Sequence, residues 1–143
     1  MSTRNALIID TGFFIALLSK KDRHHKKALA LRSKIEKKRW ITTWPVVTEV
    51  CHLLQSYAPD RISAFLRLFE VEAVELFALT PAHPPQIIAL FDKYQNLPMD
   101  LADASLVLLA EHLFCGDIVS TDQRDFGAYR WKNTKPFRNL MTD

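Results

Sequence analysis

Single carboxylates recur in this 143-residue chain where the surrounding pattern asks for apolar residues, and four could do chemistry together: Asp10, Glu49, Asp103 and Asp122. The chemistry that wants four such groups is metal chemistry. Mg²⁺ takes oxygen ligands in octahedral geometry, keeps several waters, and uses a few carboxylates plus a substrate phosphate. Without a cation, acids within a few ångströms repel and some hold protons. With one or two cations, a water becomes a nucleophile and the leaving oxygen is stabilised during in-line displacement.

Each acid also has a plainer reading. Asp10 follows the apolar run Ala6, Leu7, Ile8, Ile9 and Asp122 follows residues 117–121, so either could simply cap the next helix. Glu49 lies among Val46, Val50 and Leu53, near the apolar side of its helix, where a carboxylate is costly unless paired or bound to metal. It could instead be a rim glutamate turned outward. Asp100 and Asp103, three residues apart, share a first helical turn, where an N-cap and a third-position acid both suit the dipole. Asp103 shares its stripe with Val107, Ala110 and Phe114, which turns it inward toward chemistry. Asp100 is read as the cap.

The elements that must position these acids alternate. Residues 6–9 form a continuous apolar run, as in a strand covered on both faces. A helix over 12–18 follows, then a longer one with Asp22 as N-cap, patterned by Ala28, Leu29, Leu31, Arg32 and Ile35. Residues 41–43 suit a short strand, and Pro45 suits the first turn of a helix through Tyr57. A further helix opens near Ala58–Asp60 and runs to Phe69. A strand over 74–76, a helix over 80–94 with Pro84 and Pro85 in its first turn, a helix over 100–114 and a strand over 117–121 complete the core. A last short strand falls near 137–140. Strands separated by long helices imply an α/β fold, a mostly parallel central sheet flanked by helices in three layers. Ligands then bind beyond the carboxyl ends of the strands, where Asp10 and Asp122 sit.

Composition narrows the class. Hydrophobic residues make up 48%, which suits a folded chain read as one domain over 1–143. No apolar run is long enough to span a bilayer, and no signal-peptide order precedes the first strand, so the expected location is cytoplasmic. Cys51 and Cys115 make no disulfide framework or zinc motif, and Cys51 reads as a small buried hydrophobe. Net charge is +3 with a pI near 9.0, and the positive residues crowd into 20–39 and 124–138. A basic surface around an acidic site suits a nuclease, because phosphate must approach while metal is held. Lys20, Lys21, Arg23 and Arg124 are the candidate phosphate contacts. The first run could equally be the wet face of a helix. His24 and His25 read as solvent or RNA contacts. The apolar residues Phe65, Leu66, Phe69, Ile88 and Phe91 exceed what one small domain easily buries, which suggests an interface between two copies.

Four segments, Ile8-Ile9-Asp10-Thr11-Gly12, Thr43-Trp44-Pro45-Val46-Val47-Thr48-Glu49-Val50, Met99-Asp100-Leu101-Ala102-Asp103-Ala104 and Ser120-Thr121-Asp122-Gln123-Arg124-Asp125-Phe126, resemble the successive acidic motifs of PIN domains. The likeness is greatest to VapC-like toxins of toxin–antitoxin pairs and covers residues 7–126. It implies a metal-dependent ribonuclease using Mg²⁺ or Mn²⁺, with Asp10, Glu49, Asp103 and Asp122 as the catalytic, metal-binding quartet. It further implies Asp125 as an auxiliary acid, Thr11 and Thr121 as hydrogen-bonding neighbours, a homodimer, and inhibition by a small antitoxin across the cleft. Gly12 departs from the Ser or Asn of many members, so a polar contact is expected to be missing there.

Other classes fit less well. A phosphatase of the haloacid-dehalogenase type needs a second Asp where Gly12 stands, and a receiver-like domain needs a lysine where Asp122 stands. A non-catalytic PIN-fold binding module and an RNA-processing nuclease without a toxin role remain the alternatives.

Overall fold

The computed structural model describes residues 5–142, apart from the side chain of Gln123. Its centre is a five-stranded sheet built from β1 (Ala6–Ile9), β2 (Arg39–Thr43), β3 (Val74–Phe77), β4 (Asp117–Val119) and β7 (Arg138–Asn139). Their order across the sheet is β3-β2-β1-β4-β7, and every neighbouring pair is parallel. All four residues of β1 are buried, as a central strand with helices over both faces requires. β5 (Arg130–Trp131) and β6 (Lys135–Pro136) form a separate antiparallel hairpin that the sequence pattern did not reveal.

The helices are α1 (Thr11–Leu18), α2 (His25–Ile35), α3 (Trp44–Tyr57), α4 (Ile62–Glu70), α5 (Pro84–Lys93), α6 (Leu101–Leu113) and α7 (Gln123–Ala128). The chain adds β2 and then β3 on one side of β1, and returns to place β4 on the other side. That reversal opens a crevice at the carboxyl ends of β1 and β4, the usual ligand position in such sheets.

Several boundaries differ from the sequence expectation for local reasons. Asp22 is not the cap of α2, which starts at His25; Asp22 forms a turn before it, with Oδ1 accepting from the His24 N–H at 2.8 Å. α5 starts at Pro84 rather than residue 80, because proline is tolerated at a helix start and residues 80–83 form a turn closed by His83. α4 is preceded by a 3-10 turn, Pro59–Arg61. β4 stops at Val119, leaving Ser120, Thr121 and Asp122 to turn into α7, a helix too short to show a period in sequence.

The expected apolar surface dissolves in part. Phe65 is completely buried, its ring edge-on to Phe14 at 5.1 Å and to Phe69 at 5.3 Å. Phe69 is half-buried, while Leu66, Ile88 and Phe91 stay exposed. Phe114 also faces solvent, so the stripe Asp103–Val107–Ala110 turns inward without it. Among the described residues no helix is long and apolar enough to cross a membrane.

These positions predict a sharp contrast on α4. Phe65→Ala should lower the unfolding free energy by about 3–5 kcal/mol, as for other buried aromatics, while Leu66→Ala should cost less than about 1 kcal/mol. Chemical denaturation of the two variants measures both.

Candidate active site at the β1–β4 crevice

Asp10 caps α1 and lies buried immediately beyond β1. Its Oδ1 accepts from the Thr11 N–H at 2.7 Å and its Oδ2 accepts from the Ser120 hydroxyl at 2.7 Å. Its own N–H donates to the Val119 carbonyl at 3.1 Å, which continues the β1–β4 pairing one residue past the strand. Burial raises its pKa to about 6, against the help of Ser120 and Thr11, and Glu49 and Asp122 push it further up.

Ser120 is the residue that sequence reasoning missed. Besides donating to Asp10, its Oγ accepts from the Asp122 N–H at 2.9 Å. Its backbone is held by Asn139 of β7, through Ser120 N–H to Oδ1 at 3.2 Å and Nδ2 to the Ser120 carbonyl at 2.9 Å. A serine between a strand and an Asp carries no distinctive pattern, so only the pairing of β1 with β4 exposes it. Asp122 caps α7, accepting from the Asp125 N–H at 3.1 Å. Asp125 is buried with Oδ1 lacking a hydrogen-bond partner; burial and Asp122 raise its pKa, partly opposed by Arg124 at 3.8 Å.

On the other side of the crevice, α3 brings a half-buried Glu49 up to the α1 start. Burial raises its pKa, the nearby Thr11 hydroxyl eases it, and Asp100 opposes it again. The Thr11 Oγ1 is buried, with Glu49 as its polar neighbour. Asp100 and Asp103 cap α6 reciprocally: Asp100 Oδ1 accepts from the Asp103 N–H at 2.8 Å, and Asp103 Oδ2 accepts from the Asp100 N–H at 3.3 Å. Capping therefore belongs to both, and Asp100 stands close to Glu49 besides. Burial, Asp100 and Asp10 together raise the Asp103 pKa to about 8. The fully buried Tyr129, also unanticipated, donates its hydroxyl to Asp103 Oδ2 at 3.3 Å. Burial and the surrounding acids hold that phenol well above its ordinary value.

Thr121 explains Gly12. The Thr121 Oγ1 occupies the space that a side chain at position 12 would need, since a Cβ there would lie 1.9 Å from it. The volume of a side chain at position 12 is thus taken by Thr121 from the opposite strand end.

The basic residues separate. Lys21 and Arg23 line a groove that starts at Gly12. Lys20 is exposed and lines a second cavity, with Trp40 and Leu68, among α1, α2 and α4. Arg124 is exposed beside Asp125, and Arg39, at the end of the basic run, forms a bidentate pair with Glu75. Cys51 and Cys115 are half-buried free thiols.

The sequence matches the PIN domain family model over residues 7–132. The chain belongs to the PIN-domain family. Among solved structures it resembles the crystal structure of Mycobacterium tuberculosis VapC20, a sarcin–ricin loop cleaving toxin. The TM-score is 0.76 at 17% identity, over 91% of this chain and 99% of that one. At that identity the likeness speaks for the PIN fold. No curated protein matches the sequence.

An all-oxygen donor set in which burial and neighbouring acids raise the pKa values of Asp10, Glu49 and Asp103 fits a hard divalent cation. Among the described residues, however, no three His, Cys, Asp or Glu side chains are already grouped to hold one. Asp10 and Asp103 hold their protons more tightly in the folded chain than at the ordinary value of 3.8. The stability they contribute is therefore full below about pH 4 and lost as pH rises through about 6 and about 8. In EDTA, Asp103→Asn should melt higher than the parent at pH 8, with the difference shrinking toward pH 4. Melting curves across that range test the sign; an Asn variant that melts lower at pH 8 contradicts it.

Proposed function

We propose that this PIN domain is a metal-dependent endoribonuclease that hydrolyses RNA phosphodiester bonds, acting as the toxin of a toxin–antitoxin pair. The observation that carries the reading is the buried Asp10 carboxylate, with Glu49, Asp103 and Asp122 near enough to interact with it electrostatically, and with burial and repulsion raising the pKa values of Asp10, Glu49 and Asp103. Carboxylates held together at such a cost are the mark of a site that works with a cation.

Mg²⁺ or Mn²⁺ would be held by Asp10, Glu49, Asp103 and Asp122, and would neutralise phosphate charge and activate water. The chain's own residues do the positioning. Ser120 and the Thr11 N–H fix both oxygens of Asp10, so the carboxylate cannot swing away. Tyr129 and the α6 cap fix Asp103. The buried Thr11 hydroxyl lies against Glu49 and eases its charge, and Arg124 stands beside Asp125. Lys21, Arg23 and the exposed Arg124 supply charge for phosphates. The VapC20 likeness supports a small antitoxin partner and an RNA substrate. The exposed Leu66, Ile88 and Phe91 support a homodimer.

The purified protein should cut RNA with Mg²⁺ or Mn²⁺ and stop in EDTA; cleavage that survives thorough chelation sinks the mechanism. The substrates are a panel of structured and single-stranded RNAs, so that failure on one RNA does not decide the matter. Asp10→Asn and Asp103→Asn should abolish cleavage with the fold intact. Asp100→Asn should keep most of it, because Asn caps a helix about as well as Asp. Equal loss at positions 100 and 103 would place Asp100 among the catalytic acids.

A further inference from the structure

A groove of about 520 Å³ runs between α1 and α3, away from the carboxylates. Gly12 and Ile15 form one wall, Leu53 and Tyr57 the other, and Lys21 and Arg23 stand on the loop after α1. Its starting point is fixed by Gly12, two residues past Asp10 and pressed against Thr121. Its direction is fixed by α3. Glu49, Leu53 and Tyr57 are four residues apart, so they lie on one stripe of the helix. Tyr57 therefore stands about 12 Å along the axis from Glu49.

Tyr57 is 65% exposed, and its ring and hydroxyl have no aromatic or hydrogen-bonding partner among the described residues. Nothing in the fold requires an aromatic there. Among the described residues Lys21 is exposed without an ion pair, and Arg23 spends only its Nε, donating to His24 Nε2 at 3.1 Å. The acid among them, Asp22, is turned to the backbone N–H of His24. An open aromatic face beside two cations, on a track that begins at a phosphate-cutting site, has the composition of a single-strand nucleic-acid groove. Such grooves stack bases on rings and take phosphates on lysine and arginine. A duplex keeps its base faces stacked and cannot use the ring.

We propose that this groove carries single-stranded RNA away from the carboxylate crevice, with one base stacked on Tyr57 and the adjoining phosphates on Lys21 and Arg23. The proposal rests on the ribonuclease reading and names its substrate as unpaired RNA.

The test uses the full-length Asp10→Asn protein with Mg²⁺ and two labelled probes: a single-stranded oligoribonucleotide of mixed sequence and its blunt duplex. Adding Tyr57→Ala should weaken single-strand binding at least about fivefold without changing its salt slope, and leave duplex binding alone. Tyr57→Phe should bind like the parent, since the ring and not the hydroxyl is used. Replacing Lys21 and Arg23 with Ala should reduce the salt slope by up to about 1.4, the amount for two phosphates on a single strand. Single-strand binding indifferent to Tyr57→Ala overturns the proposal, as does equal loss in Tyr57→Phe. Stronger binding of poly-L-glutamate than of RNA of equal charge would assign the groove to an acidic protein segment and overturn it too. Tyr57-dependent binding by a protein that cuts no RNA would leave the groove standing and remove the ribonuclease reading. Cleavage indifferent to Tyr57 would do the reverse.

Discussion

The buried Asp10 carboxylate governs the arrangement around it. A carboxylate removed from water must have its oxygens satisfied, and here one bond goes to the start of α1 and the other to Ser120 beyond β4. Those two bonds bind the ends of two parallel strands into one unit. Ser120 in turn orients the Asp122 N–H, and Asn139 clamps Ser120 from β7. The edge strand thus reaches the crevice without contributing an acid. Satisfying Asp10 leaves its negative charge in place, and burial with Glu49 and Asp122 keeps its pKa near 6.

Helix ends offset part of that charge. Asp10, Asp100 and Asp122 are the N-caps of α1, α6 and α7, so three helix starts face the acidic cluster. Backbone N–H groups and the positive ends of the helix dipoles are the cheapest counter-charge a fold can offer to carboxylates. The two readings of these acids, structural cap and site residue, are therefore not rivals. A helix start is where a carboxylate can be placed near others with least loss of stability. Asp103 shows the limit of the device: despite the reciprocal cap and the Tyr129 hydroxyl, its pKa stands at about 8.

The surroundings divide the remaining labour. Cations lie outside the crevice, on the loop after α1 and at the start of α7, while acids lie inside it. Charges of opposite sign are thus kept apart, so the lysines do not neutralise the acids directly. Gly12 lets α1 approach the β4 end closely enough for both arrangements to share one crevice, because Thr121 fills the volume a side chain would take.

The sequence by itself determined the parallel α/β architecture, the order of its main elements and the candidate acids. These follow from local physics. A continuous apolar run is a strand covered on both faces, proline marks helix starts, and acids interrupting apolar patterns stand out. The identity of Asp10, Asp103 and Asp122 as residues at strand or helix ends was visible for the same reason. What only the tertiary structure decided depends on pairs distant in the chain. Ser120 and Asn139 meet through a sheet edge, and Tyr129 reaches Asp103 from beyond α7. Phe65 is core rather than surface because Phe14 lies against it. Lys20 and Lys21, adjacent in sequence, line different cavities because the chain turns between them. Composition fixes how much charge and apolar surface exist; which groups face one another is set by strand order and packing.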